Sequence, residues 1–351
     1  MKSDKKNNEV PAYVDKILLE ALGKKASDVY WLPKKDSYNI RFRIDGVQVD
    51  ICSIGREFGD QCVNRIKVLS GLLTYRTKIA QDGVIRGVAN FAEAELRVAA
   101  MPTIHGERLT IRILGRKNDP LYLEELGLQK EAESAIRDML KRPDGLIILT
   151  GPTGCGKTTT IYAMIRELLR NSQDPASIIT VEDPVECDID GISQISLTRS
   201  GDDWGYPESL RAALRQDVKT LVIGEMRDKE VVKVALDAAL TGHRVITTYH
   251  AGDIPSVYAR MLHQGFEPFL ISSAVTGVVS QRLVQRKKDD GRIPVAAYLN
   301  PSDEWKDFIT NNPGLGELRR KIKEFPDADI IEVAEKMAKK GLIHEKDVYF
   351  I

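Results

Sequence analysis

The segment Gly151-Pro-Thr-Gly-Cys-Gly156-Lys157-Thr158 carries the clearest chemistry in the sequence. Its spacing is G-x-x-x-x-G-K-[ST], the pattern of a loop that cradles nucleotide phosphates. The glycines let the backbone turn its N–H groups inward, and a following helix adds positive potential at its N-terminus. Lys157 reaches the β- and γ-phosphates and Thr158 offers a hydroxyl to Mg²⁺, so ATP and Mg²⁺ are the expected cofactors. The expected nucleotide contacts are Gly151, Pro152, Thr153, Gly154, Cys155, Gly156, Lys157, Thr158 and Thr159. Cys155 stands at a helix start two residues from Lys157, and both features favour thiolate.

Such a loop needs a carboxylate for the metal and for water. Thr220-Leu-Val-Ile-Gly-Glu225 is an apolar strand ending in an acid. In a P-loop fold it is expected beside the P-loop strand. Gly224 occupies the usual aspartate position, which leaves Glu225 as the carboxylate and, with Thr158, as the expected Mg²⁺ ligand. A second acidic cluster, Glu182-Asp-Pro-Val-Glu186, follows the apolar run Ile179–Val181. One of Glu182, Asp183 and Glu186 can polarise the attacking water, and the residues alone do not rank them. His243 and His250 flank the run Val245–Thr248, seven residues apart, so they can sit at its two ends.

These groups need a scaffold. Gly145–Thr150, Ile178–Val181, Leu221–Ile223 and Val245–Thr248 are continuous apolar strands, and helices fit Lys157–Leu169, Lys229–Leu240 and roughly Pro268–Leu283. That alternation predicts an α/β domain with a parallel sheet over 125–351, ending in small helices packed on its edge. Residues 1–115 read differently. Pro11 opens a helix with Val14, Ile17, Leu18, Ala21 and Leu22 on one face. Alternating runs then flank Asp45-Gly46, a hairpin signal, before a helix around Asp60–Leu69 and two further alternating runs near Ala94–Ala100 and Arg108–Leu114. This is a small α+β domain. The polar stretch Gly115-Arg-Lys-Asn-Asp-Pro120 predicts a linker over 116–124.

Composition bounds the alternatives. The 351 residues suggest about two domains. With 42% hydrophobic and 29% charged residues, a sizeable core forms and disorder is excluded as the default. Lys+Arg and Asp+Glu both number 51, so a wholesale basic nucleic-acid coat is excluded. No basic stripe is interleaved with the aromatics, which are only 6%, so a stable nucleic-acid partner is not expected. No apolar stretch approaches the roughly 18 residues of a bilayer span, and the polar start, Met1 to Glu9, lacks a signal-peptide core. A cytoplasmic protein is expected. The four cysteines, Cys52, Cys62, Cys155 and Cys187, form no C-x-x-C pair, so zinc spacing is absent.

The ordered set of motifs resembles the secretion ATPases of type II secretion systems and type IV pili, the GspE/PilB/PilT superfamily, from about Ser27 to Val284. The matching segments in the small domain are Ala26-Ser27-Asp28, Arg41–Gly46, Gln81-Asp82-Gly83, Arg97–Glu107 and Arg112-Ile-Leu114. In the motor domain they are Thr180–Glu186 (the family's Asp box), Thr220–Glu225 (an atypical Walker B), Leu240–His250 (the His box), Leu210–Asp217 and Gln281-Arg-Leu-Val284. The resemblance implies a RecA-like P-loop motor preceded by a PAS-like domain. It implies that Glu186 is the general base, that Glu225 organises Mg²⁺ and water, and that His243 and His250 are sensors near the γ-phosphate. Arg97 and Arg112 are similar to small-domain arginines that close over the nucleotide. It further implies a homohexamer at the cytoplasmic face of an inner-membrane platform protein, driving assembly of pilin-like subunits. The alternatives are pilus retraction and hexameric nucleic-acid translocation. The chain looks like a short form without the extra N-terminal domain, and Gln285–Gly291 has no cysteine where relatives carry a zinc insert, so no zinc is expected.

Overall fold

Alternation in the first third of the chain produces a sheet that is polar on one face. The computed structural model describes residues 9–44, 46–85, 94–116, 122–171, 174–197, 205–288, 291–349 and 351. Contacts divide the chain into two units, Met1–Asn118 and Asp119–Ile351. Most of the expected linker, 117–121, lies outside the described residues.

In the first unit, helix α1 (Glu9–Gly23) precedes strands β1 (Asp28–Pro33), β2 (Ser37–Ile44) and β3 (Val47–Gly55). Helix α2 (Arg56–Leu69) and strands β4 (Gln81–Ile85), β5 (Ala94–Thr103) and β6 (Gly106–Arg116) follow. The strands form one antiparallel sheet in the order β3-β2-β1-β6-β5-β4. Ile44 pairs with Val47, so the hairpin turns over residues 45 and 46, with Gly46 at φ 84°; Asp45 itself lies outside the described residues. Strand β1 escapes the alternation rule because Asp28, Val29, Tyr30 and Trp31 are all buried at the sheet centre. Helix α2 begins at Arg56 rather than near Asp60. Gly55 is extended there, and Arg56 pairs with Asp60 one turn on at 2.8 Å.

Val29, Trp31, Ile40, Phe42, Leu109 and Ile111 point to one face and pack with Val14, Ile17 and Leu18 of α1. The other face carries arginines. Arg97, Arg112, Asp28 and Arg43 are successive partners in a row across four strands. On α2, the fully buried Lys67 meets the carboxylate of Glu107 at 2.7 Å. That pair ties the helix to the β5–β6 hairpin; removing one partner of such a buried pair costs about 3–5 kcal/mol.

The second unit holds helix α3 (Lys130–Lys141), strand β7 (Gly145–Thr150), helix α4 (Lys157–Asn171), strands β8 (Ile178–Glu182) and β9 (Ser193–Ser196), and helix α5 (Tyr206–Ala213). Strand β10 (Thr220–Met226), helix α6 (Lys229–Leu240), strand β11 (Arg244–Tyr249) and helices α7 (Ile254–His263) and α8 (Pro268–Ala274) come next. Strands β12 (Val275–Gln285) and β13 (Arg292–Leu299) close the sheet, whose order is β13-β12-β7-β11-β10-β8-β9. All neighbours are parallel except β12 and β13.

Two expectations are corrected. The run expected as a helix to Leu283 turns into strand β12 at Val275. Its β-branched residues fit a strand between two others, and at Gly277 a Cβ would lie 2.5 Å from the Met139 sulfur of α3. The strand bearing Glu225 is not beside the P-loop strand: β11 lies between β7 and β10. The tail helices, Asp303–Thr310, Leu315–Lys321, Ile330–Lys339 and Glu345–Val348, do more than cover an edge. Trp305 is fully buried and meets Tyr258 of α7 at 5.3 Å and Phe325 at 5.4 Å, both edge-on. Among the described residues no helix is long and apolar enough to cross a membrane.

Candidate functional site

Parallel strands deliver their C-terminal ends to one edge, where ligands bind in open α/β sheets. Strand β7 ends at Thr150, whose hydroxyl donates to the carbonyls of Tyr249 (2.9 Å) and Ala251 (2.7 Å), pinning this end to the segment after β11. The loop from Gly151 to Gly156 then turns into α4. Gly151, Gly154 and Gly156 have φ of 142°, 77° and 91°, conformations that a side chain would strain. The Lys157 ammonium lies inside the turn, donating to the carbonyls of Gly151 (2.8 Å) and Pro152 (3.0 Å). Thr158 and Thr159 continue the first turn of α4. Cys155 is buried, 3% exposed, with its sulfur 3.9 Å from the Lys157 nitrogen. The thiol that the sequence marks as reactive is therefore packed away from solvent.

The loop is held from the side by a residue to which the sequence assigned no role. Gln281 of β12 donates its amide to the Cys155 carbonyl at 2.8 Å and accepts from the Thr160 hydroxyl at 2.9 Å. It is 3% exposed. A Cβ at Gly151 would lie 2.3 Å from the Gln281 carbonyl, so the glycine there also reflects the close approach of β12.

Strand β10 bends as it reaches the same edge. Its register against β11 shifts between Ile223 and Met226. Gly224 stands at the usual aspartate position, where a Cβ would lie 2.9 Å from the Tyr206 hydroxyl and 3.4 Å from the Glu182 Cα. Glu225 follows. One of its oxygens meets His250 Nε2 at 2.5 Å, and the other accepts from Arg227 Nε at 3.2 Å. Arg227 reaches on to Asp183 at 3.1 Å. His250, Glu225, Arg227 and Asp183 thus form a polar chain across the ends of β11, β10 and β8. Because β11 is interposed, His250 lies between the P-loop strand and the Glu225 strand.

His243 does not join them. It precedes β11, and its carbonyl accepts from Gly145 N–H at 3.1 Å, at the start of β7. Its ring Nδ1 lies 3.1 Å from the Ala238 carbonyl, at the end of α6. The strand length of six residues, about 20 Å at roughly 3.3 Å per residue, separates it from the P-loop. The expectation that both histidines sense the γ-phosphate is corrected for His243 within this subunit's own sheet.

The three acids at the end of β8 and in the loop after it are distinct in their surroundings. Glu182 is 5% exposed and accepts from Tyr162 Oη (2.6 Å), Thr180 Oγ1 (2.6 Å) and Gln194 Nε2 (3.2 Å). Asp183 faces Arg227. Glu186 is exposed, and its backbone N–H donates to Tyr162 Oη at 3.0 Å. Burial first, and the Glu182 charge next, push the Tyr162 hydroxyl well above its ordinary range, so it stays a neutral donor.

The model of the type II/IV secretion system protein family matches residues 3–349. The chain belongs to this family. It is 39% identical over 284 residues to the type II secretion system ATPase E of Vibrio cholerae, a match covering 81% of this chain and 56% of that protein. The chain thus spans about half the length of such relatives. Among solved structures, the Legionella pneumophila ATPase DotB superimposes with a TM-score of 0.81 at 22% identity, covering 97% of this chain and 95% of that one. The pilus retraction motor PilT, solved with ADP bound, gives 0.72 at 26% identity, covering 95% of each chain. The fold is therefore that of the RecA-like secretion ATPases.

In this family member, Arg97 and Arg112 belong to the first unit. They are direct partners on neighbouring strands β5 and β6. Arg112 is anchored: its Nε donates to buried Asp28 at 3.0 Å, while 63% of its side chain stays exposed. Arg43 approaches the same carboxylate at 3.6 Å.

Proposed function

We propose that the chain is the ATP-hydrolysing motor of a type II secretion, type IV pilus or competence-pilus system. Hydrolysis is coupled to assembly of pilin-like subunits at the inner membrane. One observation carries this reading: the phosphate loop, the Glu225–His250 contact and the loop bearing Glu186 all lie at one sheet edge of a secretion-family chain.

The residues divide the work as follows. The loop from Gly151 to Gly156 wraps the phosphates, and Lys157 leaves its carbonyl partners for the β- and γ-phosphate oxygens. Thr158 and Glu225 would hold Mg²⁺. The fit is adequate because His250 and Arg227 engage one lone pair on each Glu225 oxygen, and a carboxylate offers about four sites in all. When bound, the ion neutralises charge on the β- and γ-phosphates. Glu186 accepts a proton from water as the water oxygen attacks the γ-phosphorus. The bond from that phosphorus to the bridging oxygen breaks, and ADP leaves with the electron pair. His250 steers Glu225 and reports on the γ-phosphate. Arg97 and Arg112 supply positive charge from the small domain when it closes. The chain works as a homohexamer docked on a platform protein, peripheral to the cytoplasmic face of the inner membrane.

The test is phosphate release by the purified chain with Mg-ATP, beside Lys157→Ala. Magnesium-dependent release that Lys157→Ala abolishes supports the motor. Release no greater than that of Lys157→Ala refutes it, and strong stimulation by DNA would transfer the reading to a nucleic-acid translocase.

A further inference from the structure

The loop that carries Glu186 has no regular secondary structure between Glu182 and Ser193, yet a base must be placed within hydrogen-bond reach of its water. Side chains from outside the loop hold it. Tyr162 lies on α4, five residues beyond Lys157, and its hydroxyl is a three-way junction. It donates to Glu182 Oε2 at 2.6 Å and accepts the backbone N–H groups of Glu186 (3.0 Å) and Cys187 (3.2 Å). Glu182 cannot drift, since Thr180 and Gln194 hold its other oxygen. Gln194 of β9 grips the far side of the loop: its amide donates to the Cys187 carbonyl at 3.0 Å and accepts Ile189 N–H at 2.7 Å. The Tyr162–Glu182 bond at the centre of the junction is buried, so it is worth more than it would be in water, while the bonds to the loop are partly buried.

We propose that Tyr162 is a positioning residue for hydrolysis, setting the backbone of Glu186 against the helix that begins with Lys157. One rigid helix then bears both the phosphate lysine at its first position and the hydroxyl that registers the base loop. Glu182, the first acid of the cluster, is the buried anchor of that hydroxyl and is not itself a base. A shift of the helix relative to β8 would move Glu186 away from the water while leaving the phosphate loop intact. The inference rests on Glu186 as the base.

The test is a double-mutant cycle between Tyr162→Phe and Glu186→Gln in the full chain, with single-turnover hydrolysis where steady state is too slow. Tyr162→Phe keeps the ring and removes only the junction. A displaced group near the chemistry can cost about 10²-fold, so kcat should fall about 10–10²-fold with the KM for ATP little changed. In the Glu186→Gln background the same change should have no further effect on the rate, because the loop then carries no base to misplace. Equal losses in both backgrounds would show a general structural role and overturn the proposal, as would a normal kcat in Tyr162→Phe. A normal kcat in Glu186→Gln alone would instead remove the base on which the proposal rests. Should Tyr162→Phe fold poorly, Gln194→Leu loosens the loop from its other side. It should show the same dependence on Glu186 with a smaller loss, and a loss independent of Glu186 would count against the proposal.

Discussion

The two units present charge in opposite ways. In the second unit the reactive groups stand at strand ends and on loops, and each is held by a different kind of partner: Lys157 by two carbonyls, Glu225 by the exposed side chains of His250 and Arg227, Glu186 through its own N–H to the buried Tyr162. In the first unit the candidate groups stand on the flat of a sheet, with Arg97, Arg112, Asp28 and Arg43 in one row. A strand end can converge several kinds of donor on one point, which suits a site that must bind, hold a metal and activate water. A sheet face offers a repeated charge at fixed spacing.

The largest expected effect breaks or keeps that contrast. If the sheet face is applied to the transferring phosphoryl group, Arg97→Ala should lower kcat by about 10³–10⁵-fold, as loss of an arginine finger does, while ATP still binds. Loss of ATP affinity with normal kcat would make Arg97 a ground-state binder. Mixing Arg97→Ala with Lys157→Ala chains extends the test, since recovered activity requires an arginine delivered to a neighbouring subunit.

Next in size is the strand end. Glu225→Gln keeps shape and removes charge, so ATP should bind through the intact loop while turnover falls by about 10²–10⁴-fold. Near-normal turnover in the purified variant would mean that the His250–Glu225 contact is structural only.

A smaller effect is expected at the side of the loop. Gln281→Leu removes the amide that holds the Cys155 carbonyl and leaves the Thr160 hydroxyl without its acceptor. One buried hydrogen bond left unmade costs about 1–3 kcal/mol, so the KM for ATP should rise about tenfold or more, with kcat moving less. An unchanged KM would show that the glycines alone shape the loop. The smallest effect is at Cys155. Its burial predicts slow reaction with a maleimide in the folded chain and near-parental kinetics for Cys155→Ser. Rapid labelling with loss of activity, and protection by Mg-ATP, would show that the loop opens enough to expose the thiol.

What the sequence disclosed follows the range of the forces involved. The phosphate loop was legible because its glycines, lysine and threonine are consecutive and the strand and helix around them are local. The hairpin over residues 45 and 46 was legible for the same reason. Strand order was not. Strands β7, β8, β10 and β11 all read as apolar runs, so nothing local says that β11 separates β7 from β10. Strand β12 was read as helix because Ser272-Ser-Ala-Val-Thr276 contains no breaker where α8 ends. That His243 and His250 sit at the two ends of one strand was legible; that His250 is the one on the P-loop side follows from the parallel pairing of β11 with β7. Tyr162 was silent, because an aromatic on a helix reads as core; Gln281 belonged to a matching segment but was placed on an expected helix, and only the topology brings each against a loop that needs a partner.

If the proposed function holds, the edge at Gly151, Glu186 and Glu225 binds ATP and cleaves it. The most direct measurement follows the fate of radiolabelled Mg-ATP in a single turnover on the wild-type chain and on Glu186→Gln. Both chains should take up ATP, the wild type should yield ADP and phosphate, and Glu186→Gln should retain uncleaved ATP over the same period. Conversion to ADP at the same rate in both chains would contradict it.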